Sequence, residues 1–451
     1  MKNVLTIIGG GLAGTEAAYQ ASKRGVKVRL FEMRPQKMTE AHKTENLSEL
    51  VCSNSLKSDD IATAHGLLKA EMRELDSLII KCADESRVPA GTALSVDREK
   101  FSSLIEEELL KSGVEIIREE VTDIPDEGVV IIASGPLTSE ALSDKIQKLL
   151  GSDSLYFYDA ISPIVYKDSI DFDKAFFGSR YGKGGDDYIN CPMTKNEYEE
   201  FYNALISANQ TVLKEFDQIP EKTPYFEGCM PIEELARRGE RTLTFGPMKP
   251  VGFTVKTPDG EEKRPYAIVQ LRAENIEGTI YNIVGFQTRL KQGEQKRVFR
   301  MIPGMENAEF ARLGSIHRNS YIDSPRLLNA DMSLRENKRI FMAGQITGVE
   351  GYTESALSGL VAGLNGFNVI ADNDIMVLPL DTMSGALLRY ITDDSFQSDV
   401  IGRPKKFQPM NANYGLIAAG SKKKDRTIYR DRALESIKTW KDKYLATAGG
   451  I

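Results

Sequence analysis

The chain has 451 residues, of which 41% are hydrophobic and 27% charged, so a disordered or collagen-like chain is excluded and two or three domains are expected. No stretch reaches the roughly 18 consecutive apolar residues of a membrane span, and the first apolar run is too short for a secretory signal, so we expect a cytoplasmic protein. The net charge of −7 argues against a nucleic acid partner, but residues 401–451 carry +8 and the first 400 residues carry −15.

The first predicted elements are a strand, a glycine turn, a helix and a second strand. The apolar run 4–8 is typical of a strand buried on both faces, and the glycines within 9–14 separate it from a helix that we expect to end near Arg24. A second strand over 26–32 ends in Glu32. Apolar spacing and turn signals predict four further elements: a helix over 66–83, a helix from the N-cap Asp97 to Gly113, and strands over 114–117 and 129–132.

The glycine turn predicts a dinucleotide-binding site, because each part of the GxGxxG pattern has a physical task there. Gly9 permits the tight turn, Gly11 lets the backbone approach a pyrophosphate, and Gly14 lets the helix pack closely on the strand. The helix N-terminus stabilises negative charge, and Glu32 accepts hydrogen bonds from a ribose. The candidate cofactor-binding residues of this region are Gly9, Gly10, Gly11, Leu12, Ala13, Gly14 and Glu32.

The middle of the chain changes character. From about residue 190 to 303 the βα alternation gives way to a long helix over 195–216, turns rich in Pro and Gly, and strands over 266–271 and 280–286. We interpret 191–303 as an inserted α+β domain. The βα alternation resumes at residue 339, so the expected fold is an α/β, Rossmann-like domain formed by 1–190 and 304–451, with the α+β insertion between them.

Two later segments favour FAD over a nicotinamide as the bound dinucleotide. Residues 131–135 look like the second strand end that flanks FAD in two-dinucleotide-binding flavoproteins, and residues 340–356 look like their late strand-loop-helix. The N-terminus of that helix would stabilise an anionic reduced flavin through its dipole. These segments add Gly135, Gly344, Gln345, Gly351, Tyr352 and Thr353 to the candidate cofactor-binding residues.

Four stretches together resemble the TrmFO family of folate- and FAD-dependent tRNA (uracil-5-)-methyltransferases. They are residues 8–16, 49–55, 226–233 and 344–355. The glycine and late motifs are shared with the larger, related MnmG flavoproteins, whereas the two cysteine-containing motifs point to TrmFO. The resemblance implies methylation at C5 of uridine 54 in the tRNA T-loop. The carbon would come from 5,10-methylenetetrahydrofolate, and the reducing equivalents from NADH or NADPH through FAD.

Two cysteines are the candidate catalytic residues. Uracil C5 becomes nucleophilic once a group adds at C6, and a thiolate adds readily and leaves afterwards. Cys229 precedes an expected helix start at Pro231, where a thiol pKa is lowered, and the family motif around Cys52 implies an assisting role. Which of the two attacks first is left open. Cys82 and Cys191 are expected to be structural, and the wide cysteine spacing predicts neither a disulfide framework nor a metal site.

Several residues are candidates for binding the substrates. His317 and Tyr352 could position the pterin of the folate, and Arg237, Arg238 and Arg241 could hold RNA phosphates. The basic runs at 291–300, 405–406 and 422–424 are further possible RNA contacts.

Other functions fit the same motifs. The chain could methylate a ribosomal RNA uridine by the same chemistry, or act as an MnmG-like partner in wobble-uridine modification. A flavoprotein that binds RNA without catalysis is an alternative of a different class. The oligomeric state and the choice between NADH and NADPH stay open.

Overall fold

The computed structural model describes residues 4–151, 155–182, 185–211, 230–256, 261–397, 407–417 and 426–445. The strands of this part of the chain are β1 Val4–Ile8, β2 Lys27–Phe31, β3 Ser55–Ser58, β4 Arg87–Val88, β5 Ala93–Val96, β6 Glu115–Ile117, β7 Val129–Ile132, β8 Leu155–Ala160, β9 Ile164–Tyr166, β10 Phe176–Phe177, β11 Tyr188–Met193, β12 Val255–Lys256, β13 Glu262–Lys263, β14 Ala267–Ala273, β15 Ile280–Ile283, β16 Phe310–Arg312, β17 Ile316–Tyr321 and β18 Ile340–Met342.

The α-helices are α1 Leu12–Ser22, α2 Ala64–Glu74, α3 Leu78–Glu85, α4 Arg98–Lys111, α5 Glu140–Leu150, α6 Lys195–Ser207, α7 Ile232–Arg237, α8 Thr242–Phe245, α9 Gln292–Phe299, α10 Ser324–Leu327, α11 Tyr352–Ala371, α12 Met383–Thr392 and α13 Arg426–Tyr444.

A parallel five-stranded sheet forms the centre of the first unit, in the order β18-β7-β1-β2-β6. Strands β1, β7 and β18 are short and apolar, and most of their side chains are buried. Helices α1 and α11 pack against each other so closely that a Cβ on Gly359 would lie 2.1 Å from the carbonyl oxygen of Ala13. This arrangement confirms the expected α/β, Rossmann-like class.

A second hydrophobic core lies around a six-stranded sheet in the order β10-β11-β14-β15-β9-β16, whose strand pairs are antiparallel. This sheet extends past the expected limits of 191–303 at both ends. Strands β9 and β10 precede that range in the sequence, and β16 follows it. Residues from both sides of the expected insertion therefore complete the sheet. Strand β8, which also precedes that range, pairs antiparallel with β17, which follows it.

Most of the elements that the sequence predicted lie within a few residues of their expected bounds, with one error in the first half. The expected single helix over 66–83 is two helices, α2 and α3. The chain turns between them at Asp76, which has a φ of 60°, and Ser77 caps α3 by accepting a hydrogen bond from the Ile80 N–H at 3.3 Å. The helix expected over 195–216 ends at Ser207, and residues 212–216 lie outside the described residues.

Candidate functional site

A cavity of about 400 Å³ lies at the carboxyl ends of β1, β2, β7 and β18. This is where open α/β sheets bind their ligands, and the volume is within the range of small-molecule and cofactor sites. Its wall is formed by the glycine turn after β1, the end of β2, the loop at 51–53, residues 133–139 after β7, and residues 350–355 at the start of α11.

The glycine end of the cavity consists of the turn 9–14 with Glu32 and Arg34. Gly9 has a φ of +110°, and a Cβ there would lie 2.4 Å from the Ala133 carbonyl oxygen, so only glycine fits. A Cβ on Gly11 would meet no protein atom within 4 Å and would project into the open space. Because Gly11 caps α1 without a side-chain hydrogen bond, the first N–H groups of the helix remain available to an anion.

Two glycines of the predicted turn lie behind the cavity wall and do not line the cavity. Gly9, Gly11, Leu12 and Ala13 line the cavity, whereas Gly10 and Gly14 are absent from its lining. The Gly10 N–H donates to Glu32 Oε2 at 2.9 Å, and a Cβ on Gly14 would lie 1.8 Å from the Gly9 carbonyl oxygen. These two glycines therefore permit close packing of the turn.

Glu32 is held in its ionised form at the end of β2. Burial opposes its charge, but hydrogen bonds from the Arg34 side chain and backbone and from the Gly10 N–H keep the pKa of Glu32 below its ordinary value. Arg34 Nε lies 2.8 Å from Glu32 Oε1, and Arg34 Nη1 lies 3.1 Å from Glu49 Oε2. An ionised carboxylate that lines the cavity can accept hydrogen bonds from ribose hydroxyls.

The start of α11 provides a second helix N-terminus at the cavity. Gly351 caps the helix with a φ of 124° and without a side-chain hydrogen bond, so its first N–H groups are also available. The other sequence-predicted residues that line the cavity here are Gly135, Gly344, Gln345, Tyr352 and Thr353. Glu354 is also on the wall; burial opposes its ionisation, but Lys57 and His65 lower its pKa to about 2.

The cysteine end of the cavity is formed by Cys52 and Tyr352. The Cys52 Sγ and Tyr352 hydroxyl lie 2.9 Å apart. The same hydroxyl oxygen accepts hydrogen bonds from the backbone N–H groups of Cys52, at 2.9 Å, and Ser53, at 3.2 Å. Contact between residues 300 positions apart therefore fixes the thiol on the cavity wall.

Side chains from the second unit and from α4 fix the loop that carries Cys52. Arg272 donates from Nη2 to Ser53 Oγ at 2.8 Å and from Nε to Asn54 Oδ1 at 3.1 Å. Asn54 in turn donates to the Ala273 carbonyl oxygen at 2.9 Å, and Arg98 donates to the Leu50 carbonyl oxygen. The position of the thiol therefore depends on strands and helices that are remote in the sequence.

The remaining cysteines differ in their surroundings. Cys82 and Cys191 are buried, and burial raises the pKa of each thiol to about 12, which suits the expected structural role. Cys229 lies outside the described residues. The description resumes at Met230, and the Ile232 N–H donates at 2.7 Å to the carbonyl oxygen of Gln287, a residue of the cavity wall.

The candidate substrate-binding residues are only partly described. His317 lies in β17 opposite Asp159 of β8, but its side chain lies outside the described residues, as do 405–406 and 422–424. Arg237 pairs with Glu234 at 2.7 Å, and Arg238 follows as the C-cap of α7. The Arg241 guanidinium lies 5.3 Å from the ring centroid of Phe245, which is 70% exposed. None of these three arginines lines the cavity.

Sequence reasoning missed the buried and partly buried arginines around the cavity. Arg34, Arg98, Arg272 and Arg312 lie near Glu32, Cys52 or Tyr352, but no local motif includes them. One signal was present: Arg272 and Glu274 carry opposite charges two positions apart at the end of an apolar strand, which puts both on one face.

Among the described residues, no helix combines the length and the apolar character that a membrane span requires. Within the same residues, no group of His, Cys, Asp and Glu is arranged to hold a metal ion.

Comparison with known proteins gave consistent matches over most of the chain. The family model described as glucose inhibited division protein A matches residues 4–373. A methylenetetrahydrofolate--tRNA-(uracil-5-)-methyltransferase TrmFO from Desulforamulus reducens is 54% identical over 445 residues, covering 97% of this chain and 98% of the relative. The protein of the same name from Lactococcus lactis subsp. lactis is 52% identical over 448 residues, with 97% and 98% covered.

Among solved structures, GidA of Aquifex aeolicus aligns with a TM-score of 0.68 and 18% identity, covering 98% of this chain and 73% of that protein. At this identity the likeness concerns the fold.

Proposed function

The chain belongs to the glucose inhibited division protein A family and, within it, to TrmFO, and from this membership we propose that it methylates C5 of uridine 54 in the T-loop of tRNA. Its relatives are named methylenetetrahydrofolate--tRNA-(uracil-5-)-methyltransferases, so the carbon donor is 5,10-methylenetetrahydrofolate. NADH or NADPH supplies the reducing equivalents. Because its proposed substrate is tRNA, we expect the protein to act in the cytoplasm.

FAD fits the residues that form the cavity. A dinucleotide needs N–H groups for its pyrophosphate and an acceptor for its ribose. The uncapped start of α1 and the ionised Glu32 offer both, and the open space beside Gly11 leaves room for close approach. Bound FAD supplies the redox chemistry that brings the transferred carbon from the methylene to the methyl level. The purified protein should therefore be yellow, with an absorption band near about 450 nm.

One observation carries the proposal: a thiol, Cys52, is fixed by Tyr352 on the wall of the cavity that also contains both helix N-termini. Methylation at C5 of uracil requires a nucleophile at C6 and a group that accepts the C5 proton. We assign these two tasks to Cys229 and Cys52, without fixing which cysteine attacks.

The described chain also supports the assignment of Cys229. Met230 and Pro231 connect it to Ile232, whose N–H donates to the Gln287 carbonyl oxygen in the cavity wall. Cys229 is three positions before Ile232 in the sequence, a separation that a fully extended chain spans in about 10 Å at most.

The residues then act in a defined order. One thiolate adds to C6, which places the electron pair at C5 and O4, and C5 bonds to the methylene carbon as one of the two carbon–nitrogen bonds of that carbon breaks. The C5 proton passes to the second cysteine, and the remaining carbon–nitrogen bond breaks, so that tetrahydrofolate leaves and an exocyclic methylene stays on C5. A hydride that originates from NAD(P)H adds to this carbon, which gives the methyl group, and the first thiolate leaves C6. The cavity wall orients the ring and limits the access of water.

Methyl transfer from labelled methylenetetrahydrofolate tests the proposal. The flavin-loaded protein is incubated with the labelled folate, NAD(P)H and an unmodified tRNA transcript, and the nucleosides are analysed. We expect label in 5-methyluridine at position 54, and none when that uridine is replaced by cytidine.

The same assay with a ribosomal RNA transcript separates the two RNA targets. Label in ribosomal RNA alone would replace tRNA as the substrate. Label in neither RNA, with flavin present and reduced by NAD(P)H, would contradict the methyltransferase assignment and favour a flavoprotein that binds RNA without this catalysis.

A further inference from the structure

A cluster of charged side chains lies behind the cysteine end of the cavity. It contains three arginines, Arg98 from α4, Arg272 from β14 and Arg312 from β16, together with the carboxylate of Glu274. Arg98 Nε lies 2.6 Å from Glu274 Oε2, and Glu274 is almost fully buried. Three guanidinium groups around one carboxylate leave an excess of two positive charges.

This excess charge is poorly compensated among the described residues. Arg98 Nη2 and the Nε and Nη2 of Arg312 are buried, with no hydrogen-bond partner within the described part of the chain. Burial lowers the pKa of Arg312, and the like charge of Arg98 lowers it further. Buried guanidinium charge is costly unless an anion lies nearby.

Cys52 can supply that anion, because Arg98 donates to the carbonyl oxygen of Leu50, two residues before Cys52, and both arginines are electrostatically coupled to the thiol. Burial opposes the charge of Arg98, yet Glu274, Tyr352 and Cys52 leave its pKa above the ordinary value. Cys52 also favours the charged form of Arg312. Electrostatic coupling is reciprocal, so each arginine stabilises a negative charge on the sulfur.

The hydrogen bonds of Tyr352 also indicate a negative charge on the Cys52 sulfur. Its oxygen accepts the N–H groups of Cys52 and Ser53, so both lone pairs are engaged and its own proton is free to donate to Cys52 Sγ, 2.9 Å away. Burial and the charge of Cys52 raise the pKa of Tyr352 well above 10, which keeps the phenol protonated. A sulfur that accepts a hydrogen bond from a protonated phenol is suited to be a thiolate.

We propose that Arg98 and Arg312 are positioning residues that hold Cys52 as a thiolate, with Tyr352 as its hydrogen-bond donor. Among the described residues, the charged and titratable groups coupled to Cys52 are Tyr352 on α11, Arg98 on α4 and Arg312 on β16, and these are coupled in turn to Arg272 and Glu274 at β14. The inference rests on the proposed function for the use of the thiolate, but the charge state can be measured without methyl transfer.

The test is the pH dependence of Cys52 reactivity. The flavin-loaded protein is treated with methyl methanethiosulfonate from about pH 5 to about pH 10, and modification is quantified on the Cys52 peptide by mass spectrometry. We expect wild-type Cys52 to react well below the pH at which an ordinary thiol ionises. In Arg98→Met and Arg312→Met the reaction at about pH 6.5 should slow roughly tenfold, with equal rates at high pH.

Conservative and remote variants separate charge from structure. Arg98→Lys and Arg312→Lys keep the positive charge and should retain most of the wild-type profile. Arg180→Met removes a half-buried arginine that bonds the Gln270 side chain and the carbonyl oxygens of Lys249 and Val251, so it should leave the Cys52 profile unchanged. Thiolate ultraviolet absorbance, taken as the difference from Cys52→Ser, gives a second readout that needs no reagent.

An unchanged profile in folded, yellow Arg98→Met and Arg312→Met would overturn the inference while leaving the methyltransferase assignment intact. A shifted profile in a protein that methylates no RNA would support the thiolate and contradict the proposed function.

Discussion

The two ends of the cavity present different kinds of group to a ligand. At the glycine end, the groups available are the N–H groups of α1 and the carboxylate of Glu32, held by backbone geometry and by Arg34. At the cysteine end, they are the side chains of Cys52 and Tyr352, positioned by Arg98 and Arg272 from distant elements. We infer that one end binds by shape and fixed dipoles, whereas the other performs chemistry that depends on the protonation of side chains.

The largest difference between the functions of the two ends should appear when either candidate catalytic thiol is removed. Cys52→Ala and Cys229→Ala should each retain flavin but lose methylation by roughly a thousandfold or more, because the nucleophile or proton acceptor is gone. The measurement is turnover with tRNA alongside the flavin-to-protein ratio. Cys82→Ala, which removes a buried thiol from α3, is the control and should keep turnover. Full activity in Cys52→Ala would remove that residue from the mechanism.

A single methyl group at the glycine end should have the reverse effect. Gly11→Ala adds a Cβ that meets no protein atom, so the protein should fold normally, but the methyl occupies the space that a pyrophosphate needs. We expect flavin affinity to fall about 10- to 100-fold, as measured by titration of the flavin-depleted protein.

The matched control for Gly11→Ala is Gly293→Ala. Gly293 lies in the first turn of α9, where an added Cβ also meets no atom within 4 Å. This change should leave flavin affinity unaltered and stabilise the fold by about 0.5–1 kcal/mol. Equal flavin affinity in the two variants would show that Gly11 does not approach the ligand.

A smaller effect is expected from Glu71, which lies away from both ends. This buried carboxylate accepts hydrogen bonds from the N–H groups of Met383 and Ser384 at the start of α12, and burial raises its pKa from 4.5 to about 7. Between these values the unfolded chain loses the proton before the folded protein does. The free energy of unfolding should therefore fall as pH rises from about 4.5 to about 7, by up to about 3 kcal/mol.

Urea unfolding of wild type and Glu71→Gln across this pH range measures the effect. In Glu71→Gln the free energy of unfolding should no longer fall as pH rises through this range. In Glu85→Gln, at the exposed end of α3, it should fall as in wild type. Parallel curves for wild type and Glu71→Gln would contradict the assignment. The thiol reactivity of Cys52 should be unchanged in both variants, since neither residue touches the cysteine end.

The glycine end could be predicted residue by residue, but the cysteine end only in part. Gly9, Gly11 and Glu32 follow from a short pattern in which each residue has a local task, and the structure has them in the cavity wall. Cys52 was identified through a family motif, and Tyr352 was assigned to the cofactor and the pterin. The contact between them joins a loop to the start of α11, 300 positions apart in the sequence, and was not expected.

Local patterns also failed to predict the break between α2 and α3, which depends on the backbone conformation of one residue. Apolar spacing continues through 66–83, but Asp76 adopts a positive φ and Ser77 begins a new helix. Apolar spacing predicts which side chains are buried. It does not predict that the chain changes direction between two segments that both have a buried face.

The sequence by itself determined the strand-turn-helix that opens the chain, the α/β class and the two cysteines of interest, because these depend on neighbouring residues or on short motifs. Only the tertiary structure decided which charges surround Cys52. Arg98, Arg272, Glu274 and Arg312 come from α4, β14 and β16, and their effect on a thiol depends on distance through a poorly solvated interior, which sequence spacing does not encode.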